Sequence, residues 1–334
     1  MCKYPKVNYI GNKEKIADWI IDCFPIKKGV VLDLFSGGAS VSYALKKSGF
    51  KVLSNDVLYS NYCISKALIE NSNVRLNLNL ENKNISDYYS EDIYNKIKWM
   101  SNNIYFDSEI KELASLISYS NILLDSEKFI FLSLLRRSMI RKIPYSRMNI
   151  KWEEIVKLRD EDFSYKKYKR RRAYHNKSFL YHIKDNLEEY NSAVFDNGYI
   201  NKAYQKDALD MLKFLGKRVD LIYIDPPYPS TMNKYKEFYG AFDIMFNKEI
   251  EFIDFTNKLD FINNIKTIIK LAKNKTKYIA LSLNNKSNPS YKEIINSVNE
   301  FVKKIDIYNK NHIYKVTGKD NKKINYEILL VMEV

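Results

Sequence analysis

A tetrapeptide in the last third of the chain has the residue types needed to activate a planar amino group, namely Asp225-Pro226-Pro227-Tyr228. The nitrogen of such a group is a poor nucleophile because its lone pair is delocalised into the ring. Asp225 can accept one amino N–H and the carbonyl of Pro226 the other, which pulls the nitrogen toward a tetrahedral geometry. The two prolines fix φ and hold that carbonyl rigid. Tyr228 can stack on a base rotated out of a duplex, so we predict that all four residues are catalytic.

The residues before this motif predict a strand. The apolar run 219–224 leads directly into Asp225 and is typical of a buried central strand. The motif would then lie at the carboxyl end of that strand, where open α/β sheets bind their ligands. A strand that ends in a proline-rich turn would explain Pro226 and Pro227 alone. The acid before them and the aromatic residue after them favour the catalytic interpretation.

A glycine turn near the N terminus predicts a second part of the site. The apolar run 29–35 predicts a buried strand, a glycine-containing turn follows it, and residues 40–48 are helix-like. Glycines here let a ligand approach the backbone, although the spacing is not the GxGxxG of dinucleotide-binding proteins. Asp56, about twenty residues on, ends the next predicted strand, where a carboxylate can bind both hydroxyls of a ribose. An ordinary βα turn would have the same glycines. The nucleoside-cofactor interpretation assigns contacts to Asp33, Phe35, Ser36, Gly37, Gly38 and Asp56.

Two further residues are weaker candidates for cofactor binding. Lys13 follows a Gly turn that begins at Tyr9 and precedes a helix-like stretch, 14–23, so its ammonium can neutralise a carboxylate or phosphate. A solvated lysine is the simpler explanation. Asp207 precedes the motif strand by a helix-length segment and can accept a hydrogen bond from the amino group of an adenine cofactor. It would serve equally well as a helix cap.

The predicted elements that position these residues indicate an α/β fold interrupted by an insertion. Apolar runs at 278–283 and 327–332 predict two more strands of the same sheet. Between the two α/β parts the chain is first polar and Asn-rich and then helical, as in the apolar run 129–135. We therefore predict a Rossmann-like sheet formed by 1–70 and 201–334, with 71–200 as an inserted, mainly helical domain.

The charge is concentrated in that predicted insert. A net charge of +15 favours a polyanionic partner, although an AT-rich genome gives a similar Lys- and Asn-rich composition. A predicted helix ending near Arg136 leads into a turn or extended loop at Pro144, and the run 166–172 is strongly basic with tyrosines interleaved. Most basic contacts to nucleic acid go to phosphate, and a solvated loop is the alternative for the run. The predicted contacts are Arg136, Arg137, Arg141, Arg147, Lys169, Arg170, Arg171 and Arg172.

The amino-acid composition limits which kinds of protein this chain can be. Apolar residues make up 46% of the chain, which is typical of a globular protein. We expect no signal peptide and no membrane span, because the N terminus is polar and no apolar stretch approaches about 20 residues. The three cysteines, Cys2, Cys23 and Cys63, have no CxxC spacing, so we expect a reducing, cytoplasmic environment and no structural zinc.

The order of these motifs resembles the Dam-like class of N6-adenine DNA methyltransferases. That class has an N-terminal Gly-Lys motif, a Phe-x-Gly-Gly loop, an Asn-Asp at the second strand, an inserted target-recognition domain and then DPPY. Residues 9–13 match the first motif, with Asn12 where a second Gly is frequent, and 34–38 match the second. Asn55-Asp56 matches the third, and 326–330 is similar to the closing strand of the class. The match is poorest in the insert.

The resemblance implies a class I fold that binds S-adenosyl-L-methionine and acts on double-stranded DNA. It implies cofactor contacts for Tyr9, Lys13, Asp56 and Asp225, with Phe35 and Gly37 lining the loop and the methionine end beside Lys13. The target adenine would be flipped out of the duplex, and no metal is expected because a sulfonium is already a strong electrophile. The enzyme would belong to a restriction-modification system, beside a separately acting endonuclease, or would be an orphan or phage methylase.

Other functions remain open from the residues alone. An RNA adenine methyltransferase would carry the same motif. Methylation of N4 of cytosine more often has Ser, and methylation of protein glutamine usually has Asn, at the position of Asp225. A non-catalytic DNA-binding protein would need neither Asp225 nor Asp56. The missing GxGxxG and the net charge of +15 oppose a dehydrogenase.

Overall fold

The computed structural model describes residues 2–80, 83–227, 229, 235–257, 259–311 and 326–334. The chain forms two compact units, each assembled from separate stretches. We call them the helical unit, made of Met1–Ile10, Leu58–Asp196 and Tyr235–Glu249, and the sheet unit, made of Gly11–Val57, Asn197–Lys234 and Ile250–Val334.

Among the described residues of the sheet unit, seven strands form one mixed sheet. The strands are β1 (Val30–Asp33), β2 (Lys51–Asp56), β3 (Lys202–Gln205), β4 (Leu221–Ile224), β5 (Tyr278–Asn284), β6 (Lys304–Asn311) and β7 (Tyr326–Glu333). Their order in the sheet is β3-β2-β1-β4-β5-β7-β6. Strands β1 to β5 pair in parallel, whereas β7 runs antiparallel between β5 and β6. This arrangement confirms the predicted Rossmann-like α/β sheet.

The pairing of β1 with β4 positions the predicted site. The chain proceeds from β1 to β2 and β3 on one side, and β4 returns on the other side of β1, so the two strands meet where the strand order reverses. Asp33 is level with Tyr223 in this pair, which brings the end of β1 beside the start of the Asp225 motif. Open α/β sheets bind ligands at such a switch point.

Helices pack around this sheet and bury its central strands. All four residues of β4 are buried, which explains why the sequence shows an unbroken apolar run there. The helix α2 (Ser40–Lys47) begins directly after the glycine turn and ends before Gly49, whose φ of +82° suits a helix terminus. The helices of this unit are α1 (Ala17–Asp22), α2 (Ser40–Lys47), α10 (Ala208–Phe214), α12 (Phe261–Ala272) and α13 (Tyr291–Val298).

The helical unit is built around a long helix that is buried on every side. Residues Ile130 to Ile140 of this helix are all buried, and it runs on to Arg141, beyond the end near Arg136 that the sequence predicts. The helices of the unit are α3 (Tyr59–Ser65), α4 (Glu91–Ile97), α5 (Asp107–Ser120), α6 (Asp125–Arg141), α7 (Trp152–Arg159), α8 (Glu161–Tyr168), α9 (Phe179–Ala193) and α11 (Tyr235–Phe246). No helix among the described residues is long and apolar enough to cross a membrane.

The helical unit has other limits than the predicted insert 71–200, since its central stretch is Leu58–Asp196 and two further stretches join it. At Leu58 the helix α3 begins to pack its aromatic face against α11, with the ring of Tyr59 centred 5.7 Å from that of Phe246. The carboxylate of Asp243, also on α11, accepts hydrogen bonds from the backbone N–H groups of Tyr59 and Ser60 at 2.7 and 3.1 Å. A segment that follows the DPPY motif is therefore part of this unit.

Candidate active site

Asp225 leaves the end of β4 and forms an ion pair with a buried lysine. The Nζ of Lys13 lies 2.8 Å from Oδ2 of Asp225 and donates a hydrogen bond to Oδ1 at 3.0 Å. Lys13 is only 4% exposed, so the pair is largely removed from water. Of the rest of the motif, Pro226 is buried and Pro227 is partly buried, whereas Tyr228 lies outside the described residues.

A second buried carboxylate shares the same ammonium. Glu327 on β7 is fully buried, and its Oε1 lies 3.0 Å from Nζ of Lys13. Burial raises the pKa of Asp225 to about 6, Lys13 opposes this shift, and the charge of Glu327 adds to it. Asp225 is therefore ionised at neutral pH and is a stronger hydrogen-bond acceptor than an ordinary surface carboxylate.

Asp33, at the end of the neighbouring strand β1, is a further buried acid. The hydroxyl of Ser42 donates a hydrogen bond to Oδ2 of Asp33 at 2.7 Å. Burial raises the pKa of Asp33 to about 7, and the charges of Asp225 and Asp56 raise it further against the effect of Ser42. The carboxyl ends of β1 and β4 thus carry two acids of raised pKa, a pattern typical of functional sites.

The glycine turn after β1 folds back onto the end of β2. Gly37 has φ of +51°, a conformation that favours glycine, and its N–H donates to Oδ2 of Asp56 at 2.8 Å. The N–H of Ser36 donates to the carbonyl of Asn55 at 2.8 Å. These bonds fix the turn and orient the carboxylate of Asp56 beside it.

Asp207 caps a helix and also holds a distant segment. Its Oδ1 accepts the N–H of Leu209 at 2.8 Å, so the helix-cap interpretation is confirmed, and its Oδ2 accepts the N–H of Ile253 at 3.0 Å. In the same segment, Phe255 packs edge-on against Phe35 of the glycine turn, with ring centres 5.2 Å apart. Two aromatic side chains therefore lie together beside the turn.

The comparison with known families agrees with this geometry. The sequence profile of a family described as D12 class N6 adenine-specific DNA methyltransferase matches residues 9–327. The chain belongs to this family. The resemblance to Dam-like enzymes and the predicted adenine-specific DNA methyltransferase activity are thereby confirmed.

A relative of known type matches nearly the whole chain. The chain is 40% identical to the Type II methyltransferase M2.HphI of Haemophilus parahaemolyticus over 346 aligned positions, which cover 99% of this chain and 98% of the relative. The similarity therefore includes the helical unit and not only the shared motifs of the D12 family.

Two arginines predicted to contact nucleic acid lie instead inside the helical unit. Arg136 and Arg137 are 1% and 2% exposed. Arg136 donates to the carbonyl of Val7 at 2.7 Å, and its guanidinium lies 4.8 Å from the ring centre of Tyr239. Arg137 donates to the side chain of Asn186 at 2.8 Å and also to the carbonyl of Lys6. Because α6 continues past these positions, both side chains point into packed protein, and we correct their assignment to structural residues.

Tyr9, predicted to contact the cofactor, also belongs to this cluster. Its ring stacks on that of Tyr239 with centres 5.2 Å apart, and the N–H of Ile10 donates to the hydroxyl of Tyr239 at 3.0 Å. Arg136 lies over the Tyr9 ring at 5.9 Å. These contacts are all internal to the helical unit and give no support to the predicted role of Tyr9.

The other predicted DNA contacts are more exposed. Lys169, Arg170 and Arg171 are exposed, and Arg172 is partly exposed. Arg171 lies over the ring of Tyr165 at 5.6 Å, and Arg172 over that of Tyr168 at 5.0 Å, so the run presents cations beside aromatic faces. Arg141 and Arg147 are partly exposed.

Glu327 is the site residue that the sequence interpretation missed. The sequence shows it only as the polar residue that opens an apolar strand. An acid at the start of a strand buried on both sides is itself a signal, because a charge is rarely buried there without a partner.

Proposed function

We propose that the protein transfers a methyl group from S-adenosyl-L-methionine to N6 of an adenine flipped out of a specific double-stranded DNA sequence. The observation that supports this most directly is the Lys13–Asp225 ion pair at the end of β4, beside the glycine turn of β1. Because its 40%-identical relative is a Type II methyltransferase, we further propose a role in a restriction-modification system, beside a separate endonuclease.

The residues around the glycine turn fit this cofactor by the chemistry of their donors and acceptors. Asp56 presents a carboxylate for the two ribose hydroxyls, and Gly37 keeps that carboxylate in place through its N–H. Phe35 is partly exposed and offers an apolar face for an adenine ring, while the buried Phe255 supports Phe35 from behind. Asp207 binds the N–H of Ile253 in the same segment as Phe255. Bound S-adenosyl-L-methionine supplies an activated methyl group. We propose these contacts together with the predicted Lys13, Asp33, Ser36, Gly38 and Asp225.

The catalytic motif then prepares the amino nitrogen of the target base. Asp225 accepts one N–H of the amino group, and the carbonyl of Pro226 accepts the other, so the lone pair of the nitrogen is freed from the ring. Lys13 keeps the carboxylate of Asp225 in one orientation through both of its oxygens. Tyr228 would stack on the flipped base.

We propose that the helical unit is the target-recognition domain. Its exposed run 166–172 carries cations and aromatic rings, which suit contacts to the phosphate backbone. The partly exposed Arg141 and Arg147 are candidates for contacts to bases or phosphates.

The proposed function is tested by the variant Asp225→Ala. We expect methyl transfer to fall by roughly 100- to 10,000-fold, with binding of DNA and cofactor retained. Transfer of labelled methyl groups and calorimetry measure the two properties separately. Asp210→Asn changes an exposed acid paired with Lys213 and serves as the matched control, which should keep its activity. Unchanged turnover in Asp225→Ala would overturn the assignment.

A further inference from the structure

The ammonium of Lys13 is shared between two carboxylates from different strands. Among the described residues, Oδ1 and Oδ2 of Asp225 and Oε1 of Glu327 all lie within 3.0 Å of its Nζ. An ammonium has three N–H donors and no acceptor, so it can donate to oxygens of both carboxylates. Asp225 follows β4 and Glu327 lies on β7, so Lys13 bridges elements that come from opposite sides of β5.

Removing the carboxylate of Glu327 from water costs free energy, so a contribution to stability does not explain why an acid is present at this position. Its strand neighbours from Ile328 to Met332 are apolar and buried, and an apolar residue at 327 would avoid the removal of a carboxylate from water. Replacing a buried ion pair by apolar residues is often neutral or stabilising, so a buried acid here points to a role in the site that it touches.

The charge balance of the cluster indicates that role. If Asp225 were the only partner of Lys13, the ammonium would neutralise both of its oxygens and weaken them as acceptors for a further N–H. With Glu327 present, one positive charge is divided between two negative ones. Asp225 thereby keeps negative charge while its orientation stays fixed.

We propose that Glu327 is a positioning residue for methyl transfer, which shares the Lys13 ammonium with Asp225 and so leaves the Asp225 carboxylate oriented and negative enough to accept the adenine N6–H. This inference rests on the proposed function of Asp225 and deepens it.

The ionisation of Asp225 agrees with this role. Burial raises its pKa to about 6 although Lys13 opposes the shift, and Glu327 contributes to the increase. Among the described residues, Asp225 also interacts with Asp33, a buried acid, and with Tyr223, whose pKa burial raises well above its usual value. Without the charge of Glu327, Lys13 becomes the dominant charged neighbour, and the pKa of Asp225 falls.

The test compares Glu327→Gln with wild type in single-turnover methylation across a range of pH. Glutamine keeps the shape and an oxygen for Lys13 but removes the charge. We expect the rate to fall by roughly 10- to 100-fold and the acidic limb of the pH–rate profile, near 6 in wild type, to move about one unit lower. Affinities for DNA and cofactor should stay the same, since Glu327 is not proposed to touch either.

Two further variants make the result specific. Glu327→Asp restores the charge, so we expect the acidic limb to return toward its wild-type position with a partial recovery of rate. Glu333→Gln removes another acid of β7, which pairs with Lys277 at 3.6 Å, and should leave both rate and profile unchanged.

The outcomes separate this inference from the proposed function. A wild-type rate and pH profile in Glu327→Gln would show that Glu327 is only structural, while loss of activity in Asp225→Ala would still support the proposed function. If Glu327→Gln does not fold, the comparison of Glu327→Asp with wild type carries the test, and the wild-type profile can still contradict the inference. An acidic limb near 4 would overturn the charge balance that we infer.

Discussion

The two units of the protein contain buried ion clusters that are opposite in composition. In the sheet unit, one cation, Lys13, lies between the carboxylates of Asp225 and Glu327. In the helical unit, one carboxylate, Glu109, lies between Lys142 at 2.7 Å and Arg159, which donates to both of its oxygens at 2.6 and 2.9 Å. The first cluster has an excess of negative charge and the second an excess of positive charge.

The ionisation of the shared groups follows from this difference. Burial raises the pKa of Asp225 to about 6. Burial also opposes the ionisation of Glu109, but Arg159 and Lys142 outweigh it and hold the pKa of Glu109 below its usual value. A carboxylate that is bonded to two cations is held in one orientation and has few acceptor positions left for a ligand. A carboxylate that shares its cation keeps acceptor capacity, which is what a catalytic site requires.

The largest effect on activity should come from removing Lys13, the cation of the sheet-unit cluster. In Lys13→Met, the buried carboxylates of Asp225 and Glu327 lose the ammonium between them, and the pKa of Asp225 rises further. We expect the rate of methyl transfer at pH 7 to fall about 1,000-fold, with partial recovery as the pH increases toward 9. Single-turnover rates measured across this range check the prediction. A loss of activity that does not depend on pH would contradict it.

A large loss of stability should follow from removing the anion of the helical-unit cluster. Glu109→Gln removes the carboxylate that Lys142 and Arg159 share and leaves Glu112 as the acid that acts on Lys142, which should cost about 3 kcal/mol in free energy of unfolding. Urea denaturation measures this change. Glu249→Gln breaks an exposed ion pair with Lys236 in the same unit and should leave the midpoint of urea denaturation nearly unchanged.

The dependence of this effect on pH has a definite sign. Because the folded pKa of Glu109 is lowered, its contribution to stability is fully present above its unfolded value of 4.5 and is lost as the pH falls through the folded value. The difference in free energy of unfolding between wild type and Glu109→Gln should therefore become smaller at acidic pH. A difference that stays constant down to pH 3 would contradict the proposed charge pairing.

The smallest effect on stability should come from the cations of the run 166–172, for which the described part of the chain provides no ion pair. Replacing Arg170, Arg171 and Arg172 by Gln should leave stability within about 0.5 kcal/mol. The slope of log affinity for DNA against log salt should decrease by about one for each phosphate contact removed. Arg136→Lys, a change at a buried cation, should leave that slope unchanged. A slope that responds to Arg136 and not to the exposed run would reverse our correction.

The sequence predicts most of the sheet because its central strands are buried on both faces. The unbroken apolar runs that end in Asp33 and precede Asp225 correspond to β1 and β4. The sequence does not predict β6, whose residues are mostly exposed, because a solvated edge strand has no apolar run. It does not predict β3 either, because only one of the four residues of that strand is buried and they form no apolar run.

The motifs of the site are predicted better than the contacts between them. The glycine turn and Asp56 are found from local spacing, because each motif acts within a few residues of chain. The pairing of Lys13 with Glu327 depends on how the first and last parts of the chain pack, which spacing does not contain. The positions of Arg136 and Arg137 could not be predicted either, because α6 is buried on every side and its sequence has no clear apolar face.

The helical unit also determines the order in which the chain can complete its fold. Arg136 holds the carbonyl of Val7 and packs on Tyr239, so its surroundings combine the first segment of the chain with one that follows the DPPY motif. During synthesis this core stays incomplete until α11 has been made, by which time four of the sheet strands, β1 to β4, already exist. The two units are therefore interleaved along the chain, and no single cut can release either of them as a contiguous fragment with its own core intact.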